Sequence, residues 1–493
     1  MKQIKRLLKY LAAIILFFYA TDILAQKHLH YSEACKKKIH EVENNLISWV
    51  KLDSNQNWNI YDRMKALNIK GVSIAVINNY KIEWAKSYGW ADSTEKKRVT
   101  NQTLFQAASV SKSINAFAFM KLMQDKKVNF DEDINAYLQS WKFPYDTASH
   151  DKKITLAEIL SHTAGLNVHG FDGYKWNDSL PSLKQILNGE KPANNPAIRS
   201  AFEPGLKFEY SGGGIEISQQ LLEDVLHSSY QSFIENNIFK PLNITASNYS
   251  DKPVGNYATA YRFDEQPIGC RYHIYPEKAA AGLWTTATDL AKFVIEIQLS
   301  LKGVSNKVLT QKTTELMLTP YLQSSNAAFG FFVDKKGNDY YFQHSGLNEG
   351  FSSQYYGSMK GGNGVVVLVN SDNTDFMAEV VNSVATVYGW KNFYEFAQKK
   401  IIKVADSITD KYIGRYKFDN TDNGPSIIKE KGVLYLVDPN SPTKWEIYFT
   451  SEKEFFMIAA HWANQQFFTD EKGQVKGFYI LGDNYKVTVN KSE

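Results

Sequence analysis

At 493 residues, with 43% hydrophobic and 14% aromatic content, the chain carries more apolar material than one small core needs, which excludes a disordered protein and predicts a multidomain globular one. Its 56 basic and 52 acidic residues leave a formal net charge of +4 without a long run of either sign. That lacks the concentrated basic footprint of a nucleic-acid binder, so no nucleic-acid partner is expected.

The chain opens with Met1-Lys2-Gln3-Ile4-Lys5-Arg6, continues through an apolar stretch from Tyr10 to Ala20, and reaches small residues near Ala25. Basic, apolar and small segments in that order predict a secretory signal peptide over residues 1–25. The apolar run stops at Asp22, short of the ~20 residues a bilayer span requires, so cleavage is expected rather than a stable membrane anchor. The mature chain is then exported, either periplasmic or secreted, and begins with an N-terminal segment over 26–54. Cys35 and Cys270 are the only cysteines. An oxidising compartment would permit a bridge between them, but Cys35 lies in a polar segment near the mature start, which favours two thiols.

Ile60, Met64 and Leu67 recur at helical spacing, and Gly71 breaks into the strand run Val72 to Ile77. Asn78-Asn79 signals a turn before a second strand, Lys81 to Ala85. The middle of the chain reads as helical and loop-rich, with helices at Ile215 to Leu226 and Ala287 to Leu299. A second hairpin follows, Ser352 to Tyr356 and Val365 to Val369 around Lys360-Gly361-Gly362-Asn363-Gly364, and then a helix from Phe376 to Val387. An antiparallel sheet flanked by the terminal helices, with a helical subdomain inserted between the hairpins, accounts for this order and is an α+β fold. After about Lys400 the texture changes to short alternating strands at Tyr412–Phe418, Gly432–Val437, Lys444–Thr450, Glu454–Ile458, Gln465–Asp470, Val475–Leu481 and Lys486–Val489. Turn signals at Asp422-Asn423-Gly424 and Gly482-Asp483-Asn484 punctuate them, the pattern of a small all-β barrel-like domain.

A serine with a lysine three residues on shares a helical face with it, which suits a nucleophile and a base. The spacing alone is weak, since it occurs at Ser48, Ser93, Ser109, Ser149, Ser426 and Ser441. Ser109 stands out because Phe105 to Ser113 leads straight into an apolar helix through Phe117, Met120 and Leu122. There the free N–H groups and positive dipole end of the helix can stabilise an oxyanion. Further along, Phe202-Glu203-Pro204-Gly205 to Tyr210-Ser211-Gly212-Gly213 places a tyrosine on a turn entering a helix. Phe342-Gln343-His344-Ser345-Gly346-Leu347 then puts a small-residue strand before the second hairpin.

In this order the elements resemble the class C β-lactamase family of the serine β-lactamase and penicillin-binding superfamily, which also holds D-peptidases and esterases. Its first motif, Ser-x-x-Lys, is matched by Ser109 and Lys112, and its second, Tyr-x-Asn, only in the tyrosine, Tyr210. The third, Lys-Thr-Gly or His-x-Gly, is matched by His344-Ser345-Gly346. Ile154 to Leu166 and Ala281 to Leu290 carry similar supporting phrases, and the likeness covers roughly residues 55 to 390. The implied organisation is a hydrolase domain over 55–390, a linker over 391–405 and a C-terminal domain over 406–493, where Tyr412 to Tyr416 resembles a lipocalin-like domain often appended to such hydrolases.

The resemblance implies that Ser109 is the catalytic nucleophile, that Lys112 and Tyr210 share its proton transfer, and that the N–H groups of Ser109 and Leu347 hold the oxyanion. It assigns substrate contacts to His344, Ser345, Gly346, Gly212 and Gln106, and implies no metal or cofactor. His162, in Leu160 to Leu166, is read as part of a structural turn. Glycine at 212 cannot supply the amide the family usually presents there, and a neutral imidazole at 344 offers fewer donors than lysine. The expected substrate is therefore a small ester or a D-amino-acid amide or peptide, with β-lactam or DD-peptide hydrolysis as the alternative. A Gly-x-Ser-x-Gly elbow and a His-Glu-x-x-His zinc motif are both missing from the sequence. The rival from another class is a non-catalytic binding protein on the same scaffold, against which the retention of Ser109, Lys112 and Tyr210 argues.

Overall fold

Val72 to Ile77 is apolar at every position except Ser73, as a strand covered on both faces must be. The computed structural model describes residues 31–47, 50–52, 57–262, 267–394, 397–418, 424–437, 444–458, 464–482 and 485–492. In it this run lies in a strand at the middle of a seven-stranded sheet. The strands up to the C-terminal region are β1 (Val50–Leu52), β2 (Gly71–Asn78), β3 (Lys81–Asp92), β4 (Lys97–Arg98), β5 (Phe105–Gln106), β6 (Trp284–Thr285), β7 (Phe332–Lys336), β8 (Asp339–Asn348), β9 (Phe351–Ser358), β10 (Gly364–Val369) and β11 (Ala397–Lys399). The sheet runs β4-β3-β2-β10-β9-β8-β7 and is antiparallel throughout.

Alternate residues of β10 serve two layers. Val366 and Leu368 belong to the core that includes Phe293, Val294 and Ile297 of the helix Ala287–Leu301. Val365, Val367 and Val369 point the other way and are equally buried, and the helix Asp375–Val387 packs on β10 and β9. That helix is clamped to Ile60–Ala66 by Arg63, whose Nε and terminal nitrogen donate to the Glu379 carboxylate at 2.7 and 2.6 Å. The helices Ser111–Gln124 and Gly212–Leu226, which fall between the two hairpins in the sequence, are buried over most of their length.

The C-terminal strands are β12 (Gly414–Phe418), β13 (Ser426–Glu430), β14 (Val433–Val437), β15 (Lys444–Glu446), β16 (Tyr448–Phe449), β17 (Glu454–Phe456), β18 (Asn464–Thr469), β19 (Val475–Gly482) and β20 (Tyr485–Lys491). They form a nine-stranded, nearly closed antiparallel sheet in the order β15-β14-β13-β12-β20-β19-β18-β17-β16. Its interior is filled by aromatic side chains: Tyr412 stacks on Phe467 with ring centroids 3.7 Å apart, and Phe449, Phe455 and Phe478 surround them. The expected α+β fold with a barrel-like second domain is therefore present.

Three local expectations differ. The stretch Lys444–Thr450 breaks at Ile447 into β15 and β16. β13 and the pair formed by β7 with the start of β8 were not foreseen, because the charged turns Glu430-Lys431-Gly432 and Lys335-Lys336-Gly337 interrupt their alternation. The signal peptide and the turn residues Asp422-Asn423 and Asp483-Asn484 lie outside the described residues.

By internal contacts the chain divides into residues 1–40 and 41–493. In the first unit, residues 33–40 begin the helix Glu33–Glu43. Neither cysteine is in a disulfide; Cys35 is buried and Cys270 half-buried. Among the described residues no helix is long and apolar enough to cross a membrane.

Glu379 is almost completely buried against Arg63, so truncating it leaves a guanidinium without its counter-ion. Glu379→Ala is expected to lower stability by about 3–5 kcal/mol, read as a drop in the urea midpoint, while Arg63→Met with Glu379→Leu recovers most of the loss.

Candidate active site

β5 pairs with β6, and Ala107 N–H donates to Leu283 O at 2.8 Å, which fixes the chain just before the serine. Ala108 then takes a left-handed backbone with φ of 48°. An alanine holds that conformation only when its surroundings over-determine it. They do: Ser111 Oγ donates to Ala108 O at 2.6 Å and accepts from Leu283 N at 3.0 Å, and Ser353 Oγ donates to Ala107 O at 2.8 Å. Ser109 sits in the resulting 3₁₀ turn, Ala108–Val110, which runs into the helix Ser111–Gln124.

Lys112, in the first turn of that helix, is 2% exposed. Its Nζ donates to Ser109 Oγ at 3.0 Å and to Ala280 O at 2.7 Å. It also lies 5.0 Å from the ring centroid of Tyr210. Tyr210 directly precedes Ser211, whose Oγ accepts from Gly214 N at 3.0 Å and so caps the helix Gly212–Leu226. The cap thus sets the tyrosine beside the lysine.

Two buried histidines flank Tyr210. The ring of His162 is 4.3 Å away, tilted by 32°, and that of His344 is 6.4 Å away. Burial, then the positive charge of Lys112, holds His344 down at about 3, and the same causes with His344 itself hold His162 well below the usual imidazole value. Both are neutral, and their tautomers follow from their partners. His162 Nδ1 accepts the Ser211 N–H at 3.2 Å, so its proton is on Nε2. His344 Nδ1 lies 2.6 Å from Ser345 O, an acceptor, so its proton is on Nδ1 and Nε2 is a bare acceptor. Both Nε2 atoms are buried without a hydrogen-bond partner among the described residues. The site floor therefore presents one uncharged donor and one uncharged acceptor.

The wall beside Ser109 is β8. Gly346 has no room for a side chain: an added Cβ would strike Ala107 O and stand 2.7 Å from Ser353 Oγ and 2.8 Å from Ser109 N. The two-residue turn Glu349-Gly350 pairs Asn348 with Phe351. In an antiparallel ladder closed this way, the N–H and C=O of Ser345 and Leu347 turn away from β9. On that side β7 pairs with β8 only from Asp339 to Gln343. The backbone groups of Ser345 and Leu347 thus line an open edge next to Ser109, with the Leu347 side chain 57% exposed.

The remaining assignments fare differently. Gly212 lies under the Val168 to Phe171 loop, donating its N–H to His169 O at 3.1 Å, and an added Cβ would stand 3.1 Å from that oxygen and from the Phe171 ring. Gln106 is 2% exposed, its Nε2 donates to His273 O at 2.7 Å and its Oε1 accepts from Asn348 at 2.8 Å. With both ends of the amide engaged it braces the wall beside Ser109. His162 occupies a left-handed turn, with φ of 59°, and also lays its ring, tilted, against Tyr210, a position its spacing in the sequence did not disclose. Among the described residues no group of three His, Cys, Asp or Glu side chains is arranged to hold a metal ion.

Replacing Gly346 by alanine is expected to displace the serine turn and slow acylation of Ser109 by at least ~100-fold with the fold retained, since small misplacements of reacting groups cost that much; a wild-type acylation rate would contradict the close approach. The neutral histidines predict an acid-sensitive fold. The unfolded chain protonates imidazole near 6.5, whereas the folded chain keeps His344 neutral down to about 3. Between those values unfolding takes up protons, so stability falls as pH falls. Urea midpoints measured from pH 7.5 to 4.5 should decline, with a shallower slope in His344→Gln.

A sequence model of the family described as Beta-lactamase matches residues 59–386. Protein flp of Staphylococcus aureus (strain MRSA252) is 24% identical over 326 residues, covering 65% of this chain and 63% of flp. The chain thus spans less than two thirds of that relative's length. Among solved structures, the octameric penicillin-binding protein homologue from Pyrococcus abyssi aligns over 87% of this chain and 98% of its own, with 18% identity and a TM-score of 0.60. That coverage exceeds what precedes the C-terminal sheet, so the likeness in fold runs into it. The D-amino acid amidase from Ochrobactrum anthropi SV3 covers 72% of this chain and 99% of its own, with 19% identity and a TM-score of 0.57.

Proposed function

Because the chain belongs to the beta-lactamase family, we propose that it is an exported serine hydrolase that forms an acyl-enzyme at Ser109 with a small ester or a D-amino-acid amide or peptide. The observation that carries this reading is the 3.0 Å contact between Lys112 Nζ and Ser109 Oγ at the start of a buried helix. A hydroxyl becomes a nucleophile when a group in hydrogen-bond reach takes its proton. Lys112 is so placed, and Tyr210, beside it, is positioned to pass that proton to the leaving group.

In acylation, Ser109 Oγ bonds to the substrate carbonyl carbon while its proton moves to the lysine and tyrosine pair. The N–H groups of Ser109 and Leu347 receive the oxyanion, and collapse expels the alcohol or amine with the returned proton. Water then repeats the sequence on the acyl-enzyme and releases the acid. The open edge of β8 would pair with the substrate backbone on the way in. Export rests on the basic, apolar and small segments of residues 1–25.

The substrate class rests on what the floor lacks. His344 is neutral across the physiological range and adds no charge to hold a carboxylate. Position 212 has no side chain and no room for one without movement of the Phe171 loop. Both features weigh against recognition of the acylamino and carboxylate groups of a β-lactam. One neighbour in fold is a D-amino acid amidase, which supports including amides.

The purified protein should take up a fluorophosphonate probe, and Ser109→Ala should not. A short p-nitrophenyl ester or a D-amino-acid amide should exceed a chromogenic cephalosporin in kcat/KM by at least ~10-fold, the scale of one or two lost polar contacts. Absence of any Ser109-dependent adduct would sink the hydrolase reading, and faster cephalosporin turnover would reverse the substrate ranking.

A further inference from the structure

Glu216 lies six residues beyond Tyr210 in the helix Gly212–Leu226 and is completely buried. Its Oε1 accepts the N–H of Ala280 at 2.7 Å. One turn on, Gln219 Oε1 accepts the N–H of Ala279 at 3.0 Å. These two side chains cap the four-residue helix Lys278–Ala281, whose own N-cap residue, Glu277, makes no side-chain cap. The carbonyl of the same Ala280 is the one that receives Lys112 Nζ at 2.7 Å. An unbroken series of contacts thus runs from Glu216 through Ala280 to Lys112 and on to Ser109.

The acid is not an ordinary structural anchor. Among the described residues its second oxygen, Oε2, is buried without a hydrogen-bond partner. A lone carboxylate is strongly disfavoured in such surroundings. Burial and the neighbouring Glu277 push Glu216 well above the usual carboxylate range, with Lys112 pulling it down and Glu223 adding a further acidic neighbour. Glu277, facing Tyr174, Asp172 and Asp251, is pushed up to about 8, chiefly by burial.

We propose that Glu216 is a positioning residue for the nucleophile: it holds Ala280 so that its carbonyl aims Lys112 at Ser109. This rests on the reading of Ser109 as the nucleophile. Neither the Ser-x-x-Lys spacing nor the tyrosine motif discloses such a role, since Glu216 sits among apolar residues in a different helix.

The test measures the fluorophosphonate labelling rate of Ser109, and kcat and KM for a p-nitrophenyl ester from pH 5 to 10, on the full mature chain and its variants. Glu216→Gln keeps the acceptor for Ala280 and cannot ionise. It should retain kcat and the labelling rate within ~3-fold of wild type. Glu216→Ala removes the acceptor and should lower kcat and the labelling rate by at least ~10-fold, with KM changed far less. If Glu216→Ala proves insoluble, Glu216→Met, which fills the space without an acceptor, decides in its place. A glutamine variant that loses kcat by ~10-fold or more, or an alanine or methionine variant with wild-type kcat, overturns the proposal while Ser109 labelling still stands. Failure of wild type to label at Ser109 overturns the reading beneath it as well.

Discussion

Lys112 is 2% exposed, and its Nζ makes hydrogen bonds to Ser109 Oγ and Ala280 O. A buried amine is tolerated only where such partners are fixed beforehand. Much of the surrounding architecture serves that end. The strained turn at Ala108 brings the serine to the lysine, and the caps from the helix Gly212–Leu226 hold the short segment that supplies the carbonyl. Burial, with Lys112 beside them, also holds His162 and His344 below the ordinary imidazole range, so the lysine sits among uncharged rings. Charges in such a dry setting act more strongly than they would in water, for the same geometry.

Much of this was legible in the sequence. The paired hairpins, the terminal helices and the ordered arrival of Ser109, Tyr210 and His344 are local patterns, and local patterns survive in a linear reading. What did not show through depends on contacts across the fold. Gln106 belongs by position to the nucleophile segment, yet its amide is engaged by His273 and Asn348, far along the chain. His162 reads as a turn residue and is one, but the turn delivers its ring onto Tyr210. Glu216 carried a visible signal, an acid within the apolar run Gly214-Ile215-Glu216-Ile217, without any indication of its partner. β7 and β13 were lost for a different reason: short strands flanked by charged turns present too few alternating residues to stand out.

The C-terminal sheet illustrates how a resemblance in shape can mislead about use. Lipocalin-like barrels can enclose a small ligand, but a barrel of this size can equally be filled by its own side chains. Here Tyr412, Tyr416, Phe455, Phe467 and Phe478 occupy the interior, with Tyr412 and Phe467 in direct stacking contact. Those rings form the core that stabilises the domain, so a ligand inside would have to displace it.

Two glycines define the cleft in complementary ways. At Gly346 the missing side chain lets β8 come against the Ser109 N–H, which brings the Leu347 N–H to the open edge beside it. At Gly212 the missing side chain lets the Val168 to Phe171 loop close over the start of the tyrosine helix, with Gly212 and Gly213 donating to His169 O and Val168 O. A longer residue at 212 would meet both the His169 carbonyl and the Phe171 ring. Glycine there is thus part of a different local packing rather than the loss of one contact. On the proposed reading, restoring an asparagine at 212 would not by itself restore β-lactam recognition, because the space its amide needs is bounded by the loop.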